Sequence, residues 1–300
     1  MLAPSLLIRG VTRRVNSTLV MGVVNASPES FSDAGLYASL DSRLELAASL
    51  VESGADVIDV GGQSAITNQP ELDAQIEAER VVPIVEWLHT TYPQTLISVD
   101  TYKPSVVAGV LAAGADIIND VSGLRYPEVA GLCATHGAAL VVMHTAAPPK
   151  TRLQDANLYR DIRSEVGSFI ESKCNEAVAL GLSRESLILD PGPDFTKTPH
   201  QTLELLRHMD DLRRFERPLL LALSRKDVLG AITGRSPRGR GASTDAAIGY
   251  FAQTPGNIVR VHDVAAAVDV VATVDALVGR RDIDPEYLLP DEIRHERPAT

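Results

Sequence analysis

Ten polar side chains stand where short apolar runs end, and most of them fall into two chemical sets. Asp100, Asn119 and Asp190 offer acceptors suited to a planar ligand with several N–H donors, such as an aminopyrimidinone ring. Lys226, Arg260 and His262 offer cations and donors suited to an anion, phosphate foremost. Asn25 can give an oxygen to Mg2+, which takes oxygen ligands and keeps waters around phosphates. Asp59, His144 and Ser224 complete the ten. A lone Asp at a strand end ordinarily caps the next helix, but so many polar ends in one chain exceed what caps require.

The elements that must position them alternate in type. Runs within Val20–Asn25, Val57–Val60, Leu96–Val99, Ile117–Ile118, Ala138–Val142, Leu187–Leu189, Pro218–Leu223 and Asn257–Val261 read as strands buried on both faces. Helical periodicity marks Asp41–Ser53, with a Ser42…Glu45 capping box, and then Gln75–Thr91, Pro104–Ala113, Leu158–Leu180 and Asp263–Val278. Thr198-Pro199 reads as an N-cap followed by proline in the first turn. Gly230, Gly234, Gly239 and Gly241 interrupt Lys226–Tyr250, which predicts a flexible insertion before a helix at Ser243–Tyr250.

Eight βα units predict a single (β/α)8 TIM barrel with parallel strands, and in that fold all strand ends meet on one catalytic face. An open doubly wound sheet would bring a Gly-rich first turn and one crevice, and neither is present. Leu6-Leu7-Ile8 and Val11 around Gly10 predict an N-terminal β-hairpin covering one end of the core. Residues 1–280 are read as the barrel and 281–300 as a loosely held polar tail. The Ser- and Pro-rich stretch after Asn25 has turn chemistry suited to a loop closing over a ligand.

Composition narrows the function. With 300 residues, 45% of them hydrophobic but only 4% aromatic, the core must come from Val, Leu, Ile and Ala, as in barrel interiors. A net charge of -11 without a Lys/Arg run argues against nucleic acid as a partner, so phosphate binding should be local. Cys133 and Cys174 are too few for a disulfide framework and read as buried thiols in a reducing compartment. No apolar run approaches a membrane span, and Arg9, Arg13 and Arg14 interrupt any signal-like start. A cytoplasmic protein without membrane partners is expected.

At these same residues the chain resembles dihydropteroate synthase. Met21 to Gly35 closely follows the family's first signature. The resemblance continues through Asp59-Val60-Gly61-Gly62, Ser98-Val99-Asp100-Thr101 and Ile118-Asn119-Asp120. It runs on through Met143-His144, Asp190-Pro191-Gly192, Ser224-Arg225-Lys226 and Arg260-Val261-His262-Asp263. It implies a TIM barrel joining 7,8-dihydropterin-6-ylmethyl diphosphate to 4-aminobenzoate, with release of pyrophosphate. By that resemblance Asp100, Asn119, Asp190 and Lys226 would hold the pterin, Met143 would pack on its face, and Asp100, Lys226 and Asp190 would be catalytic. Asn25, Arg260 and His262 would hold the diphosphate with Mg2+, and Phe195 and Lys197 would flank aminobenzoate. A homodimer is expected.

Three departures concentrate near the second substrate. The family's Glu-Ser-Thr-Arg-Pro loop is replaced by Gln63 to Pro70, with Ala65-Ile66 where Thr-Arg is usual or an insertion displacing that pair. Pro193 to Lys197 keeps only Phe and Lys of the usual segment, and Asp227 stands where Ser is common. A divergent paralogue that binds pterin with little synthase activity is therefore an alternative. A pterin-dependent methyltransferase barrel is another, but it has no need of the cations Lys226, Arg260 and His262.

Overall fold

Strict alternation of side chains along short strands builds the molecule from the inside. A computed structural model describes residues 3–26, 39–63 and 70–295. Its eight parallel strands, β3 (Leu19–Asn25), β4 (Val57–Gly61), β5 (Leu96–Asp100), β6 (Ile117–Asp120), β7 (Ala139–Met143), β8 (Leu187–Asp190), β9 (Leu219–Leu221) and β10 (Asn257–Val261), form a closed barrel in that order. The ring closes where β10 pairs with β3, Val259 opposite Val20. Before it, β1 (Ser5–Ile8) and β2 (Val11–Arg14) make the expected antiparallel hairpin.

Val57, Leu96, Ile117, Ile188 and Ile258, near the strand starts, form an apolar layer inside the barrel. Leu6, Ile8 and Val15 plug it from the hairpin side. Two residues further along, on the same face of each strand, stand Asp59, Ser98, Asn119, Asp190 and Arg260. The intervening Ile58, Ile97, Ile118, Leu189 and Val259, with Leu187 before Ile188, face outward into the larger core shared with the helices. One step of alternation thus turns the barrel interior from apolar to polar.

The helix layer comprises α1 (Leu40–Glu52), α2 (Ala74–Thr91), α3 (Pro104–Ala113), α4 (Glu128–His136), α5 (Ile162–Ala179), α6 (Pro199–Arg207), α7 (Asp210–Arg213), α8 (Asp227–Thr233), α9 (Gly241–Ala252) and α10 (Val264–Leu277). Two expectations are corrected here. Ser39, not Ser42, caps α1, accepting the Ser42 N–H at 3.2 Å, so the Ser42…Glu45 box does not form. The glycine-rich segment after Lys226 is braced by one residue and holds two helices. The Arg240 guanidinium donates to the carbonyls of Arg225 (2.7 Å) and Arg235 (2.9 Å) and pairs with Asp227 (3.0 Å). Gly230 makes room for it, since a Cβ there would lie 2.2 Å from Arg240 Nη2. Close approach, rather than flexibility, accounts for that glycine.

Both cysteines are free and buried, and no helix among the described residues is long and apolar enough to cross a membrane. Residues 281–295 are exposed throughout and carry two short turns, at 285–286 and at Asp291–Ile293. At the start of α6 the Thr198 cap is completed as a box with Gln201, whose side chain accepts the Thr198 N–H at 2.8 Å. Thr198→Ala should lower stability by about 1 kcal/mol, measured by urea denaturation at neutral pH.

Candidate active site

Ser98, Asn119, Arg260 and Asp100 join one hydrogen-bonded network inside the barrel centred on Asp59, which is fully buried. Its Oδ1 accepts the Ser98 hydroxyl at 2.6 Å. Its Oδ2 accepts Arg260 Nε at 2.6 Å and Asn119 Nδ2 at 3.3 Å. A second arm of the guanidinium, Arg260 Nη2, reaches Asp100 Oδ2 at 3.2 Å. Burial pulls the Arg260 pKa down, but the adjacent Asp59 and Asp100 outweigh it and hold the guanidinium charged. Burial pushes the Asp100 carboxyl up to about 7, with Arg260 opposing and Asp59 reinforcing the shift.

Across the mouth, Asp190 ends β8 opposite Met143 of β7. Its Oδ1 accepts the Gly192 N–H at 2.7 Å. Burial raises its pKa to about 6, against the pull of that N–H and of Lys226 and Lys197. Lys226 lies with Nζ 4.4 Å from the centre of the Phe195 ring, a cation–π contact. At the ends of β9 and β10, Ser224 Oγ and His262 Nδ1 are 2.9 Å apart. Met143 and Asn119 are enclosed, while Asn25, at the end of β3 beside Gly61, is half-buried.

The mouth opens into a cavity of about 420 Å³ whose lining includes Asp100, Tyr102, Val121, Phe195, Lys226 and Asp227, with residues 148–154 as the far wall. Its carboxylates are tied from behind. Besides the Asp100–Arg260 and Asp227–Arg240 pairs, Glu77 is held by Lys103 Nζ and the Thr101 hydroxyl, each at 2.6 Å. Nothing in the helical pattern around Glu77 marks it, because its partners lie on the next βα loop. The two loops expected to close over the site, Ser27–Gly35 and Gln63–Pro70, fall largely outside the described residues. Of the second, Gln63 donates to the Tyr102 hydroxyl at 3.2 Å and accepts the Leu72 N–H at 2.5 Å.

Two sequence readings change. His144 follows β7 but turns outward, packing on Phe169 and Tyr159 with ring centroids 4.9 and 5.7 Å away. Burial, aided by the nearby Lys197 charge, drives its pKa down to about 2, so it is a neutral packing residue. Lys197 does not flank the cavity. It is fully buried, and its ammonium donates to the carbonyls of Phe195 (2.9 Å), Gly192 (3.0 Å) and His144 (3.3 Å). It braces the loop that presents Phe195. Gly192 is obligatory there, with φ +64 and a Cβ position 2.2 Å from the His144 carbonyl oxygen.

A (β/α)8 barrel with buried acceptors and cations converging at the C-terminal ends of its strands is a TIM-barrel enzyme site. Residues 21–262 match the pterin binding enzymes, and the chain belongs to the dihydropteroate synthase family of these enzymes. It is 37% identical over 262 residues to the dihydropteroate synthase of Synechocystis sp., spanning 87% of this chain and 90% of that one. It is 39% identical over 267 residues to inactive dihydropteroate synthase 2 of Mycobacterium tuberculosis, spanning 88% and 84%. The Xanthomonas albilineans dihydropteroate synthase solved with 4-aminobenzoic acid superposes with a TM-score of 0.83 at 35% identity, covering 92% of this chain and 98% of that one.

Burial lowers the Lys197 pKa to about 7, with Asp190 opposing. The unfolded chain therefore binds more protons than the folded one between about pH 7 and pH 10, and this group makes stability rise across that window. Lys197→Met leaves three carbonyls without their donor and should cost on the order of 2–4 kcal/mol. It should also flatten the rise between pH 7 and 9, as read from denaturant midpoints at both values.

Proposed function

We propose that this chain is a dihydropteroate synthase, joining 7,8-dihydropterin-6-ylmethyl diphosphate to 4-aminobenzoate. The observation that carries this reading is the meeting of Asp100, Asn119 and Asp190 with Arg260 and Lys226 in one barrel mouth. The acceptors suit the N–H edge of a pterin, with Met143 and Lys226 beside its ring. Arg260, already oriented by Asp59, and His262, oriented by Ser224, face the leaving diphosphate. Its C–O bond breaks with the electron pair going to the pyrophosphate, and the carboxylates nearby stabilise the methylene cation left behind. The aminobenzoate nitrogen then attacks that carbon and releases a proton. Phe195 and Lys226 provide the surface on which the arylamine lies.

Mg2+ belongs to this reading. Among the described residues no cluster of three His, Cys, Asp or Glu could cage a metal. An ion held by Asn25, diphosphate oxygens and retained waters needs no such cage. Bound there, it would neutralise charge developing on the leaving group. The two buried free thiols support a cytoplasmic enzyme, and among the described residues no helix is long and apolar enough to cross a membrane. Apolar side chains exposed at the end of α10 and beyond, Leu277, Ile283 and Leu288, support a homodimer.

A pterin-binding barrel with little turnover is the second reading, favoured by the 39% identity to an inactive relative and by the missing loop arginine. Incorporation of labelled aminobenzoate by purified protein with Mg2+ and the pterin diphosphate separates the two. Product formation is expected, and its absence in folded protein that still binds pterin would leave only the second reading. In the same assay Arg260→Ala should weaken the diphosphate ester far more than the free pterin alcohol. Equal loss for both ligands would reduce Arg260 to a structural role.

Pterin binding needs Asp190 and Asp100 as ionised acceptors, so kcat/KM should fall with decreasing pH through about 7 and then about 6, where these groups take up protons in the free enzyme. Asp190→Asn should cost on the order of 1.5–3 kcal/mol in pterin affinity by calorimetry and remove the lower of the two steps.

A further inference from the structure

The end of the barrel opposite the active site carries a second cavity, of about 310 Å³. Pro4 and Ser5 of the hairpin, Arg14 at the end of β2, Arg213 of α7, Arg217 just before β9 and Pro255 just before β10 line it. Three arginines thus line one partly open cavity in a chain of net charge -11. The one lining carboxylate, Glu216, forms no ion pair with them among the described residues.

The commitments of the three arginines differ. Arg213 is fixed in place, donating to Asn257 Oδ1 at 3.0 Å and the Pro255 carbonyl at 3.3 Å, with exposed Asp210 at 3.6 Å. Arg217 Nη1 donates to the carbonyls of Ser5 (3.2 Å) and Arg184 (3.4 Å), which are neutral acceptors. Its Nε is enclosed with no hydrogen-bond partner among the described residues. The Arg14 side chain has neither a hydrogen bond nor an ion pair among the described residues. Burial lowers the pKa of both Arg213 and Arg217, with Asp210 opposing the shift at Arg213 and Glu185 and Glu216 opposing it at Arg217. Neither Arg14 nor Arg217 makes a close ion pair among the described residues, and their forked donors match tetrahedral oxyanions.

We propose that this cavity is a binding site for a small multivalent oxyanion, a phosphate or diphosphate group, held by Arg14 and Arg217 over the fixed Arg213. Its volume corresponds to roughly ten waters at about 30 Å³ each, enough for a diphosphate with part of its hydration. The site lies at the strand starts of β9 and β10, whereas Lys226, Arg260 and His262 lie at or beyond their ends. Occupancy is thus independent of catalysis in space, and it ties the hairpin to the strands it plugs.

Calorimetric titration of the full chain with inorganic diphosphate, at fixed low salt and without Mg2+, tests this. Wild type should show a class of sites that survives Arg260→Ala. Arg14→Ser, on an exposed strand where the fold tolerates it, should weaken that class at least tenfold while leaving kcat unchanged. Arg217→Gln should do the same if it folds, and Arg14→Ser alone decides the matter if it does not. A parallel arm with inorganic phosphate ranks the ligands: equal affinity identifies a single phosphoryl group as the ligand, and weaker binding identifies a diphosphate. Loss of all diphosphate binding in Arg260→Ala, or titrations unchanged by Arg14→Ser, would overturn the proposal.

Discussion

A carboxylate inside an apolar barrel needs a fixed counterion, and Asp59 has one in Arg260 at 2.6 Å. Breaking a buried pair of this kind typically costs about 3–5 kcal/mol, because one charge remains without a partner. The pair joins β4 to β10 across the intervening β3, so it spans the closure of the ring. Arg260 then orients Asp100 on β5, and Asp59 itself orients Asn119 on β6. The groups assigned to the pterin are held by this interaction before any ligand arrives. Preorganisation of this kind lets a site stabilise developing charge without rearranging.

Much of this was legible because strand alternation is a local signal. Several strands carry a polar residue two positions past an apolar one, as in Val57 to Asp59 and Ile258 to Arg260, and that spacing already places the side chains on one face. What stayed hidden depends on contacts between distant segments. Asp59 read as one strand end among many, since nothing local shows that Arg260 meets it. His144 read as a rim residue because it follows a strand, yet one further alternation turns it outward onto α5. Lys197 read as a ligand contact by resemblance, whereas the folded loop wraps its ammonium in three carbonyls. The glycines after Lys226 read as flexibility, because a sequence does not show which guanidinium needs the space.

Identity alone does not separate a synthase from an inactive relative here, since the 37% and 39% matches lie on both sides of that line. The geometry locates the question more narrowly. Asp100, Asn119 and Asp190, proposed for the pterin, are held by the network around Asp59 and by Gly192. The departures gather where the arylamine would lie, around Asp227 and the loop after Gly62. Asp227 is not a bare charge there, because Arg240 meets it at 3.0 Å and its backbone N–H is bound to Asp194 at 2.6 Å. Its effect on an incoming carboxylate is accordingly smaller than its formal charge implies.

The hairpin that plugs the barrel has a kinetic consequence. With Leu6, Ile8 and Val15 sealing the far end, ligands must enter and leave through the same mouth. Asn119 and Asp190, the groups proposed for the pterin, lie deep in it, and Phe195 and Asp227 lie nearer its edge. A pterin arriving after the arylamine would find its path obstructed, and a joined product must withdraw with its arylamine end leading. With the substrates placed as proposed, one-ended access makes the reaction a queue, in which depth in the barrel sets the order of arrival and its reverse sets the order of departure.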